Sequence, residues 1–112
     1  MAIEHAQSGE VIDIRPLAEK LSESKTHTLL KTEHMEVLRM VLPAGKVIAE
    51  HKARGDITVQ CLEGEINFTS AIGTKTLCAG KMLFLNAAEL HAVEAITDAS
   101  VLVTILLRKK TE

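Results

Sequence analysis

The chain has 112 residues, a formal net charge of −2 and a charged share of 25%. That length fits one domain, and without clustered Lys and Arg or aromatic platforms it offers no footprint for nucleic acid. No apolar run approaches the roughly 20 residues that span a bilayer, and Met1 to Gln7 carry Glu4 and no apolar core, so neither a membrane partner nor a signal peptide is expected and the cytoplasm is the expected compartment.

The aromatic share is 2%, Phe68 and Phe84 only, so the core must be built from Ile, Val, Leu, Met and Ala. Val11 to Ile14 alternates apolar and acidic residues, which predicts a short strand. Pro16 suits a first helical turn, and Leu17, Ala18 and Leu21 share one face, which predicts a short helix over Pro16 to Leu21. Ser22 to Lys25 is a polar linker. Residues 1–26 therefore read as an N-terminal segment and 27–112 as the main body.

From His27 onward, short apolar runs alternate with turn signals. Strands are expected over Thr28 to Thr32, Met35 to Leu42, Ile57 to Leu62, Ile66 to Thr69, Thr76 to Cys78, Lys81 to Leu85, His91 to Ile96 and Ser100 to Leu107. No helical pattern separates them, which excludes βαβ units and indicates an all-β sandwich or barrel. Lys81 to Leu85 and Val101 to Leu107 are apolar on both faces, where a sheet with one wet face should alternate. The second burial surface implied is another subunit, so a homodimer is expected, with Thr58 and Gln60 on the outward face; the alternative is that the N-terminal segment covers that face. Cys61 and Cys78 form no Cys-x-x-Cys pair, and each sits in an apolar stretch. They read as free, buried thiols with a packing role.

Two glycine-histidine frames are more specific. Gly45 and His51 are followed by Ala53, Ile57 and Gly64, and Gly80 is followed by Asn86, Ala88 and His91, with Ala95 beyond. The spacing resembles the two motifs of the cupin family. The first of these is a Gly, five residues, His-x-His, an acidic residue or Gln after three or four more, then six residues and a Gly. The second is a Gly, five residues, Pro-x-Gly, two residues and a His. Gly45, His51, Gly64, Gly80 and His91 match. Ala53 stands at the second His, Ile57 at the acidic position, Asn86 at the Pro, Ala88 at the Gly and Ala95 where an Asn is usual. The resemblance covers about residues 35 to 107. It implies a cupin-type double-stranded β-helix, or jelly-roll barrel, preceded by the short N-terminal helical segment, with His51 and His91 on facing strands and their rings in the barrel.

The family's usual metal site uses three His and one carboxylate or Gln. Only His51 and His91 remain of that set, an incomplete site that falls short of the three protein ligands a catalytic metal generally has. Asp56 and Glu50 have the wrong strand parity to join the two rings, Asp56 unless a bulge at Arg54-Gly55 shifts the register, whereas Cys61 shares the parity of Ile57 and Val59. His5, His27 and His34 lie outside both frames and read as surface or structural residues. The residues expected to line a ligand pocket are His51, Ile57, Val59, Cys61 and His91. The first functional expectation is a module binding a small, mostly apolar molecule without a complete metal site, His51 and His91 fixing one polar group. The alternative is a metalloenzyme of the dioxygenase or isomerase class, with Zn, Ni, Fe or Mn held weakly by His51 and His91 and completed by water, Cys61 or substrate. A third is a barrel kept for assembly alone or as the sensing relative of a regulator. No nucleophile-base pair, phosphate loop or paired-carboxylate site is readable.

Overall fold

A computed structural model of the chain describes residues 5–107. Nine strands follow a 3-10 helix at Ala18–Glu23: β1 (His27–Lys31), β2 (Met35–Leu42), β3 (Val47–His51), β4 (Ile57–Glu63), β5 (Glu65–Ser70), β6 (Gly73–Cys78), β7 (Met82–Leu85), β8 (His91–Ala95) and β9 (Ala99–Leu106). They form two antiparallel sheets, one in the order β1-β2-β9-β4-β7 and the other β3-β8-β5-β6. The all-β jelly-roll expectation holds, with a short helical turn near the N-terminus.

Alternation places the core. Ile57, Val59 and Cys61 of β4, Val101 and Val103 of β9, and Leu42 of β2 are buried on the inner face of the first sheet. Ile66 and Phe68 of β5 with Val93 and Ala95 of β8 oppose them from the second sheet. Each such side chain contributes about 1.5–3 kcal/mol by leaving water, and Phe68, 1% exposed, is the largest.

The glycines of the two frames sit where the chain must turn. Gly64 links β4 to β5 with φ of 83°, and a Cβ there would lie 2.1 Å from the Asp98 carbonyl oxygen. Neither the left-handed backbone nor the contact tolerates a side chain. Gly80, at φ of 91°, turns β6 into β7.

The N-terminal segment departs from expectation in two ways. Val11 to Ile14 forms no strand; Val11 is 95% exposed. Asp13 instead bonds the backbone N–H of Arg15 and its guanidinium, a local alternative that competes with sheet pairing. The helical turn is 3-10 rather than α and begins at Ala18 rather than Pro16, because the Leu17 and Ala18 N–H groups both donate to the Glu63 carboxylate. That carboxylate also accepts from Ser100 and pairs with the buried Arg39, which donates in turn to the Arg15 carbonyl. The segment is thus latched to the outer face of the first sheet, with Leu21 buried beneath it. The remainder of that face is open. Thr58 pairs with Phe84 and Thr104, and Gln60 with Met82 and Leu102, while Met82 and Phe84 are more than half exposed.

Candidate functional site

A cavity of about 460 Å³ lies between the two sheets. Leu38, Met40, Ile57, Val59, Val101, Val103 and Ile105 line it from the first sheet, and Ile66, Phe68, His91, Val93 and His51 from the second. Ala53 lies on the wall between them, and Lys31, Glu36, Lys52 and Arg54 add charged side chains to it.

The two histidines meet directly. His51 ends β3, His91 begins β8, and the two are partners across the antiparallel ladder. Their strands are hydrogen-bonded neighbours in one sheet rather than facing walls, which sets the ring centroids 4.2 Å apart at 60°. Phe68 stacks on the other side of His91. His51 Nδ1 bonds the Ala49 carbonyl at 2.9 Å and His91 Nδ1 the Glu89 carbonyl at 3.1 Å. A carbonyl oxygen only accepts, so Nδ1 carries a proton in each ring, and in the neutral form of a ring held this way Nε2 is the acceptor. Burial pushes the His91 pKa down; the bond to Glu89 opposes this and the neighbouring His51 adds to it.

Ile57, Val59, His51 and His91 all line this one cavity, the first two from one sheet and the two histidines from the other. Cys61 does not join them. It has the inward parity, but it stands four residues from Ile57, about 13 Å along an extended strand. Its Sγ donates to the Glu63 and Gly64 carbonyls at the β4–β5 turn, and burial pushes the thiol pKa up, so it is an unreactive packing residue. Cys78 is a free thiol as expected but exposed rather than buried, because its side chain alternates outward from Leu77 on β6. Asp56 is committed elsewhere: its carboxylate accepts the Ala87 N–H at 2.9 Å. His27 bonds the Lys25 carbonyl, and His34 pairs with Glu33, both in exposed positions.

Among the described residues no group of three or more His, Cys, Asp or Glu side chains could hold a metal ion. Two imidazole acceptors with Ala53 and Ile57 beside them do not fit a resident cupin metal, which needs at least three protein ligands. Sequence reasoning missed the charged residues of the wall. Lys31 and Glu36 lie 60 and 55 residues before His91 in the chain, on strands β1 and β2, whose register pairs them at the cavity.

No family model matches the chain, and no curated protein matches its sequence. Solved structures do. A cupin superfamily protein from Desulfitobacterium hafniense superposes with a TM-score of 0.75 at 19% identity, over 92% of this chain and 100% of that one. A conserved protein of unknown function from Streptococcus pyogenes gives 0.74 at 20% identity, over 97% and 96%. A DMSP lyase from Ruegeria pomeroyi gives 0.69 at 18% identity, over 78% of this chain and 48% of that one. At these identities the likeness shows the fold. The chain folds as a small cupin barrel, and proteins of this fold include enzymes as well as proteins of unknown function. No helix among the described residues is long and apolar enough to cross a membrane.

Proposed function

We propose that the barrel is a small-molecule-binding module, holding a mostly apolar ligand with one polar group fixed by His51 and His91, and with no resident metal. The observation that carries this is the pair of imidazoles, each fixed through Nδ1 to a backbone carbonyl, with the motif's two other donor positions held by Ala53 and Ile57 in the lining of the same cavity. A cavity of about 460 Å³ with mainly apolar walls and a few convergent polar groups is the usual form of a ligand pocket. Thermal-shift screening of metabolites tests it. A rise in melting temperature that is lost on His51→Ala plus His91→Ala is expected; no shift with any ligand class counts against it.

The metalloenzyme reading draws on one specific feature. Metal-binding imidazoles also donate their second nitrogen to a carbonyl or carboxylate, as both do here. Metal analysis of protein purified without a His tag decides between the two. Metal near one per chain, with melting lowered by chelator, would establish this second reading.

The outer face of β4, β7 and β9 takes a second copy of the chain in this proposal. A two-fold contact sets the patch against its own copy, so an uncharged patch pairs with itself without like-charge repulsion. Thr58, Gln60, Met82, Phe84, Leu102 and Thr104 carry no charge, and the large apolar ones are half-buried or exposed.

A further inference from the structure

The chain as a whole is negative, at −2, yet its cavity is bordered by three cations, Lys31, Lys52 and Arg54, against one acid, Glu36. Among the described residues none of the three cations is in an ion pair. Glu36 is already engaged, accepting the Thr28 hydroxyl at 2.7 Å. Three like charges minus one leaves +2 among the charged side chains that line the cavity. All three cations are exposed, whereas the walls deeper in are Val, Ile and Phe. An apolar interior with a positive collar is complementary to a molecule with an apolar body and an anionic end. Low-dielectric walls focus such a field into the opening.

Resting on the binding reading above, we infer that the ligand is an amphipathic carboxylic acid: its apolar body fills the barrel and its carboxylate sits in the collar of Lys31, Lys52 and Arg54. Arg54 can grip a carboxylate with two parallel N–H donors, while the two lysines act as mobile point charges. Among the described residues no helix N-terminus borders the cavity. The collar is therefore built from long, exposed side chains, which suits a single negative charge at the opening.

The experiment compares pairs of probes that share a chain and differ only in the end group. Hexanoate, octanoate and decanoate are titrated calorimetrically against the matching alcohols and amines at pH 7.5. The acids are expected to bind at least tenfold tighter than the alcohols at about 20 mM salt and to lose most of that margin at about 300 mM, where screening is strong. Amines should bind more weakly than either. The variant Lys31→Gln plus Lys52→Gln plus Arg54→Gln should keep its melting temperature, since all three side chains are exposed, and should bind acids and alcohols alike. Val103→Trp, which fills the cavity, should abolish binding of both. If alcohols bind as well as acids in the parent chain, the carboxylate assignment is overturned and the apolar pocket stands. If no probe of any length binds, or if acids bind the filled variant undiminished, the binding reading falls with it.

Discussion

Phe68 lies flat against His91, their ring centroids 5.4 Å apart and their planes 9° from parallel. The stacked ring excludes water from one side of the imidazole, and burial is the main reason the His91 pKa falls below its ordinary value of 6.5. The sign of the resulting pH dependence follows. Below pH 6.5 the unfolded chain takes up a proton that the folded chain declines. Stability therefore declines as pH falls from 6.5 toward the depressed folded value and is flat above 6.5. One proton limits the slope to about 1.4 kcal/mol per pH unit. Urea unfolding between pH 5 and 8 should show this slope in the parent chain and lose it in His91→Gln.

A second titration sits lower and acts elsewhere. Burial opposes ionisation of Glu63, but the Ser100 hydroxyl, the Leu17 and Ala18 N–H groups and the Arg39 guanidinium outweigh it and hold the carboxyl below its ordinary value. Its contribution is present above pH 4.5 and is lost as pH falls through the folded value. Glu63→Ala would leave Arg39, with a side chain 4% exposed, uncompensated, at a cost of about 3–5 kcal/mol. It would also free the N-terminal segment. Limited proteolysis should then cut within residues 5–26 well before the barrel itself unfolds, while the parent chain resists.

The two glycine-histidine frames were readable because glycine and histidine report on backbone and site at once. Gly64 and Gly80 take the positive φ their turns require, and the resemblance to the two cupin motifs paired His51 with His91. Strand β3 was harder to see as a strand. Val47 to His51 is an edge strand with four of its five residues exposed, so no buried alternation marks it. Cys61 misled for a related reason: parity tells which face a residue occupies and nothing about how far along the strand the cavity extends. The latch between Arg39 and Glu63 was invisible, since the two lie 24 residues apart and nothing local in either strand signals the other.

Ala88 stands where the second motif has glycine, yet it keeps the glycine conformation, with φ of 67°. Its N–H bonds the Ala53 carbonyl at 3.1 Å, which holds the loop against the end of the first frame. An L-residue there costs about 1–2 kcal/mol. Part of the relief on Ala88→Gly is offset by the greater freedom of glycine in the unfolded chain. A net gain of about 0.5–1 kcal/mol is expected, read as a higher urea midpoint at unchanged slope. Gly64→Ala should act in the opposite direction and more strongly, because its Cβ would also strike Asp98.

The proposed two-fold contact predicts a change of assembly without loss of fold. Phe84 is 58% exposed on edge strand β7, so a polar residue there costs the single chain little. Phe84→Asp would set two carboxylates against each other at a symmetric contact. Sedimentation should show the parent as a dimer and the variant as a monomer, with unfolding of the isolated chain altered by less than about 0.5 kcal/mol. A monomeric parent would remove the contact.

Ala53 and Ile57 line the same cavity as His51 and His91, and whether they lie close enough to share a metal can be tested by restoring donors. Ala53→His plus Ile57→Glu would supply a third imidazole and a carboxylate, enough for a closed site around Zn or Ni. Ile57 is 3% exposed, so an ionised glutamate there is destabilising without a partner. The metal-free double variant should therefore melt below the parent chain. Added metal should raise its melting point steeply, because binding to the folded state alone shifts the folding equilibrium. After dialysis the double variant should retain about one metal per chain and the parent far less. The same experiment with Cys61→Ala added should change nothing, since that thiol is turned to the β4–β5 backbone. Loss of metal in that triple variant would mean that the far end of β4 reaches the histidines after all.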